Sequence, residues 1–432
     1  MIGGADWLLW VLYLFCTFIV LWFLRLGKEK KNNAYFYLGF SVKVFGSLAF
    51  VFVYVYYYKF GDSFEYYKGA VSLSKALIEN PKVYLELLLS DSAPVFQGQM
   101  SEYANGLAFS DTSEEWFMVK LMSVFALLSF RSYLVMHIFM AIVSFYGSWK
   151  LFKVFSSILP ERKNIAFFSA FLIPSVVFWG SGLMKDTITL TGVNMMIYIL
   201  YFGIIKKQFK LTFLCYFVIW FIIAYKLKSY IVIALIPGVL LTIFYNYRSK
   251  INSSALRFFA GPILMGAIFI VGYFTLLALT EYSEKYKVSQ IKGNVKGFHS
   301  WHTDLGGSAY SLGDIDYSAI GVLKKIPAAL NVTFFRPYLW ESSNPVVFLS
   351  AVESFSFLLL FVSAMYATKF RIRSLLKDQN LLKGMLIFIF VFGFAIGFTS
   401  YNFGALARYK IPIFQLFIFT LFYLRFKAKK LT

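Results

Sequence analysis

The chain has 432 residues, 59% of them hydrophobic and only 15% charged, against about 25% charged in an ordinary soluble domain. Apolar runs of about 20 residues recur along its whole length, which excludes a soluble enzyme, a secreted disulfide scaffold and a disordered chain. The runs are continuous rather than alternating, which also excludes a transmembrane β-barrel. The net charge of +21 raises the question of nucleic acid, and its distribution along the chain answers it.

The pattern predicts an all-α, polytopic helical membrane protein, a single integral membrane domain over 1–432. It has about eleven spans, at 7–24, 36–58, 132–152, 164–181, 188–205, 211–225, 229–246, 258–280, 345–367, 384–401 and 410–424. The first span has no basic stretch before it and no small-residue cleavage site after it, so it is expected to be an anchor rather than a cleaved signal. With the N-terminus outside, the inner segments collect Arg25, Lys28, Lys153, Arg162, Lys206, Arg248, Lys369, Arg371, Arg425, Lys429 and their basic neighbours. Nearly all of the positive surplus then faces the cytoplasm, as the positive-inside rule requires. The charge is a topology signal, and no nucleic-acid partner is expected. Cys16 and Cys215 lie inside apolar runs and read as small buried hydrophobes rather than a disulfide or metal site.

Two outer segments, 59–131 and 281–344, are too long to be connectors, and long ordered loops carry function. The first opens with Gly61-Asp62-Ser63-Phe64-Glu65-Tyr66 just beyond the second span. A carboxylate at the membrane surface is partly desolvated, which suits a general base. Asp62 and Glu65 share a face if the segment is helical; a solvated loop start with aromatic anchors explains the same residues. Amphipathic stretches at 72–79 and 83–89, and a run from Ser113 to Phe130, predict interfacial helices, with Glu114 and Glu115 as first-turn partners of the helix dipole.

After the fourth span, Phe178-Trp179-Gly180-Ser181-Gly182 leads into Lys185-Asp186, either a surface ion pair or a cation for phosphate beside an acceptor contact. The second outer segment holds His299-Ser-Trp301-His302, which reads as polar loop: no Cys or HExxH accompanies it, and no metal site is expected. His137, alone in the third span, reads as a satisfied bundle histidine. The segment ends in Arg336-Pro337-Tyr338-Leu339-Trp340-Glu341, and the hairpin before the last span carries Arg408-Tyr409-Lys410-Ile411-Pro412. Lys185, Arg336, Arg408 and Lys410 are four outer cations near membrane level. They suit a lipid-linked phosphate, although each alone could simply snorkel. Glu353 lies inside the ninth span with Lys43 of the second as a candidate partner, and intramembrane carboxylates have partners or functions.

An acid just past an early span, a large first outer loop with interfacial helices, and Arg408-Tyr409-Lys410 before the last span resemble the GT-C superfamily of polytopic glycosyltransferases. Phe178–Gly182 with Lys185-Asp186, and Arg336–Glu341, are similar to membrane proteins of bacterial polysaccharide clusters. The resemblance implies transfer of a sugar from a polyprenyl-phosphate-linked donor to a glycan or protein acceptor, outside a bacterial inner membrane. It implies Asp62 as base with Glu65 beside it, and Lys185, Arg336, Arg408 and Lys410 on the donor phosphate. Asp186, Tyr66, Trp301, Trp340 and Glu341 would contact acceptor or sugar. No cofactor is called for beyond, at most, a divalent cation; membrane lipids are the remaining partners. The Asp-Asp or Asp-x-Asp pair of some members is absent. A Wzy-type polysaccharide polymerase or glycan ligase, and a non-enzymatic transporter or assembly subunit, stay open as alternatives.

Overall fold

The computed structural model describes residues 2–25, 32–248 and 308–431, apart from 315, 317 and 318, together with 253 and 266. The predicted span 258–280, Trp301, His299 and His302 lie outside the described residues.

Among the described residues the fold is helical, and its one β-bridge is antiparallel, between Ala309 and Asn402. Among the described residues, eight helices are long and apolar enough to cross a membrane. A helix satisfies all of its backbone polar groups internally, which lipid cannot do for them. Three predicted spans take a different form. The segment 164–181 is broken into α7 (Lys163–Phe171) and α8 (Pro174–Phe178). Pro174 lacks an N–H and disfavours helical backbone before it, and Ile173 is extended. The spans 211–225 and 229–246 run as one helix, α10 (Leu211–Tyr247), whose only non-helical residue is Lys228, at φ −152° and ψ 74°.

The chain divides into two compact units. The first comprises Met1–Lys153, Ala170–Ile197 and Leu214–Ser229; the second comprises Val154–Ser169, Tyr198–Phe213 and Tyr230–Thr432.

In the first unit, α1 (Gly4–Arg25) and α2 (Asn33–Phe52, continued by a π-turn to Tyr58) precede the helices of the segment 59–131. Those are α3 (Asp62–Glu79), α4 (Pro81–Leu89) and α5 (Ser113–Leu128). The interfacial stretch expected at 72–79 is thus the end of a helix that already begins at Asp62. Gly61 makes the entry with φ +124°, a region that favours glycine. Asn80 caps α4, accepting from the Val83 N–H, with Pro81 in the first turn. α3 lies along α5, where Gly69 leaves room for Val119. α6 (Tyr133–Ile158) and α9 (Lys185–Ile199) follow, and α2 packs on α8 through Gly46 at Val177.

In the second unit, α11 (Ile326–Phe335) packs against α13 (Asn380–Thr399), where Gly393 and Gly397 admit Phe334 and the Ala329 backbone. α12 (Pro345–Thr368) and α13 both pack on α15 (Ile411–Leu431), and α14 (Phe403–Tyr409) leads into α15. Tyr310 N–H donates to the Tyr401 carbonyl at 3.0 Å and Phe403 N–H to the Ser308 carbonyl at 2.9 Å, joining the stretch 308–310 to the hairpin.

Both cysteines are free and lie on exposed helix faces, not in a core. A small, weakly polar side chain suits lipid as well as protein.

Candidate functional site: two charged clusters

In the first unit, the glycine-rich turn before α9 is buried: Ser181, Leu183 and Met184 are at most 1% exposed. A Cβ on Gly182 would stand 2.5 Å from the Phe50 ring, so the close approach requires glycine. Ser144 donates to the Gly180 carbonyl, and Thr187 Oγ1 to the Gly182 carbonyl at 2.6 Å. This anchored turn delivers Lys185 and Asp186 to the first turn of α9.

The two residues then point to different partners. Lys185 Nζ donates to Glu115 Oε1 at 2.5 Å, with both side chains about 15% exposed. Asp186 Oδ1 accepts from Lys228 Nζ at 2.5 Å, with the pair only 4% and 6% exposed. Lys228 is the residue at which α10 loses helical geometry. A break inside an apolar helix is expected where a side chain or the backbone takes another role. Nearby in charge, Lys120 donates to the carbonyls of Leu88 and Ser90. Burial holds the Lys120 ammonium below the usual lysine range, with Asp91 opposing and Lys226 adding to the shift.

Asp62 and Glu65 both stand in the first turn of α3. Asp62 is half-buried, and Glu65 accepts from Lys68 at 2.6 Å. Tyr66 is 1% exposed with its ring against Phe109, a core position rather than an open sugar platform. Lys43 donates to the Val176 carbonyl at 3.3 Å. His137 Nδ1 is bonded to the Tyr133 carbonyl, while its buried Nε2 has no hydrogen-bond partner among the described residues, so it is half-satisfied.

In the second unit, three sequence-distant stretches meet. Arg336 Nε lies 3.0 Å from each carboxylate oxygen of Glu341, and Nη2 also donates to Oε1. The guanidinium sits 5.4 Å from the Phe403 ring, 5.7 Å from Tyr310 and 5.9 Å from Tyr338. Burial works to raise the Glu341 carboxyl, but the bonds from Arg336 and the Tyr338 N–H outweigh it and hold it below the usual range. Burial raises the Tyr310 phenol, which donates to the Gly397 carbonyl at 2.9 Å. Behind this pair, the carbonyl of Arg336 accepts from Ser354 Oγ at 3.1 Å and from Lys410 Nζ at 3.5 Å. Lys410 is fully buried, with Glu353 as its charged neighbour. Arg408 lies half-buried in α14, its guanidinium 5.6 Å from the Tyr409 ring. Trp340 is 80% exposed and stacks on Tyr338.

Arg336, Glu341, Lys410 and Glu353 are therefore brought together. Three of the four predicted phosphate cations, Lys185, Arg336 and Lys410, each have a carboxylate neighbour. Such a partner orients the cation and occupies part of its donor set. Glu341 takes the Nε–Nη2 edge of Arg336 and leaves Nη1 with donors to offer. Lys228 and Lys120 were not singled out from the sequence, and Glu115 only as a partner of its helix dipole. The visible signal was Lys226 and Lys228 inside an otherwise apolar stretch, read there as a short connector. Among the described residues no three His, Cys, Asp or Glu side chains gather as metal ligands. Compared with known protein families, curated proteins and solved structures, the chain matches none.

Proposed function

We propose that the protein is a membrane glycosyltransferase of the GT-C type, acting at the outer face of a bacterial cytoplasmic membrane in cell-surface glycan assembly. Its eleven spans place the N-terminus outside and the C-terminus in the cytoplasm. α10 supports that count: 37 residues make about 55 Å of helix, well beyond the roughly 30 Å hydrocarbon layer, and the break at Lys228 divides it into two near-span lengths. Cysteine-accessibility labelling at 100 and 375 tests the scheme, with 100 reached from outside and 375 protected; the reverse pattern overturns it.

The observation that carries the reading is the Arg336 cluster. A guanidinium framed by three aromatic rings, with a buried ammonium behind it and an exposed Trp340 beside it, has the chemistry to hold a phosphate next to a sugar face. In the reaction, an acceptor hydroxyl gives its proton to Asp62, and its oxygen bonds to the anomeric carbon. The bond from that carbon to the phosphate oxygen breaks with inversion, and polyprenyl phosphate leaves with the electron pair. The base role rests on the resemblance, while the phosphate role rests on chemistry, so each is tested separately.

Transfer from a polyprenyl-phosphate-linked sugar is the assay. Arg336→Lys keeps the charge and loses the planar fork. It should slow transfer by one to two decades, about what a charge-assisted bond of roughly 1.5–3 kcal/mol supplies when felt in the transition state. Arg408→Ala should be slower than Arg408→Lys. Asp62→Asn should abolish transfer in an inserted, folded protein. Unchanged rates in both arginine series remove the phosphate site. Activity in Asp62→Asn with loss in Arg336→Lys moves the protein to the polymerase or ligase class, where cations hold a pyrophosphate and no carboxylate base is needed.

A further inference from the structure

The second unit carries two cavities at the helix ends where its basic residues gather, far along α12 and α15 from the Arg336 cluster. One, of about 530 Å³, is lined by Tyr366, Lys369, Phe370, Arg425 and Lys429 among others. The other, of about 280 Å³, is lined by Arg162, Phe422 and Phe426 and again by Arg425 and Lys429. Arg425 and Lys429 are one turn apart on α15, so they share a face and border both cavities.

Neither lining contains a carboxylate. Glu161, next to Arg162 in the chain, accepts from Lys430 at 3.0 Å and lines neither cavity. Apart from Ser363, Asn164 and the basic residues, the walls are apolar or aromatic: Arg162 lies 5.4 Å from the Phe426 ring, and Tyr366 and Phe370 are 87% and 79% exposed at the rim. Lys369 and Phe370 both have positive φ, so the chain turns sharply there and presents the two side chains at the mouth.

Four cations over apolar walls, at the ends of membrane helices, match one class of ligand: a lipid with an anionic phosphate headgroup and acyl chains beside the helices. Inorganic phosphate offers nothing to the aromatic rim, and a zwitterionic lipid adds a cation where the site already has four. We propose that these paired cavities bind the phosphate headgroup of an anionic phospholipid, with Arg425 and Lys429 shared between them and Arg162 and Lys369 closing either side. The proposal rests on membrane insertion alone and is independent of the glycosyltransferase reading. A scattered topology charge would not care which basic residue is removed, whereas a site does.

The test compares thermal stabilisation of the purified full-length protein by phosphatidylglycerol with that by phosphatidylcholine, in mixed micelles and in nanodiscs. Wild type should be stabilised by phosphatidylglycerol at lower lipid fraction. Arg162→Gln and Arg425→Gln should each raise the half-effective fraction about fivefold, the ratio for roughly 1 kcal/mol per cation at a membrane surface. Lys210→Gln, an exposed cation of another basic segment in the same unit, should leave it unchanged. Arg162 is exposed, so Arg162→Gln gives the reading even where Arg425→Gln does not fold. Equal shifts in Lys210→Gln and Arg162→Gln, or no preference for phosphatidylglycerol, overturn the site. Inorganic phosphate that stabilises the protein as well as phosphatidylglycerol does overturns the lipid as its ligand.

Discussion

In the first unit the Lys228–Asp186 pair is 6% and 4% exposed, whereas in the second the Arg336–Glu341 pair is 17% and 20% exposed. Both join a cation and a carboxylate at a helix break or a helix end, but water reaches them differently. A pair removed from water must compensate a large desolvation cost through its own attraction, and removing one partner leaves the other charge stranded. A pair that keeps some solvent loses less when broken, because water and the aromatic frame take over part of the interaction. The dry pair holds a helix break in place. The wetter pair keeps donors to offer outward.

Three experiments press on that difference. The largest effect should come from Asp186→Ala, which strands Lys228 and should lower stability by about 3–5 kcal/mol in mixed-micelle unfolding. Asp186→Leu combined with Lys228→Met removes both charges and should recover most of the loss. If the double variant is as unstable as the single, the charge is not what Asp186 contributes. A smaller effect, about 1–2 kcal/mol, should follow from Glu341→Gln, since Arg336 keeps partial exposure and its ring contacts. A loss as large as that of Asp186→Ala would mean the two pairs do not differ in the way their burial indicates.

The smallest effect is the pH dependence of the Arg336–Glu341 pair. The folded state holds Glu341 below its unfolded value, so its contribution is complete above the unfolded carboxyl range and fades as pH falls through the folded one. The melting temperatures of wild type and Glu341→Gln should differ at pH 6 and converge below about pH 4. A difference that grows toward acid would contradict the sign. Partial exposure keeps this effect modest.

Several site residues were legible as residue types but not as pairs. Glu115 was read as a partner of its own helix dipole, and it does stand in the first turn of α5; its bond to Lys185 joins positions 70 apart. Glu353 and Lys43 were matched because both are charges inside spans. Glu353 instead faces Lys410 within the second unit, and Lys43 meets the Val176 carbonyl within the first. Hydropathy marks which charges need a neighbour but carries no information on which neighbour is near.

By itself the sequence determined the class: apolar runs of span length oblige the backbone to close its own hydrogen bonds, and a helix does so within one segment. It also marked the two long segments, 59–131 and 281–344, through their length, and the amphipathic stretch 83–89, which forms most of α4. Only the tertiary structure decided that Lys228 interrupts α10 to reach Asp186, and that Arg336 is framed by Tyr310 and Phe403. Those outcomes depend on contacts between residues tens of positions apart, whose energies are set by burial and geometry in the folded chain rather than by any local pattern.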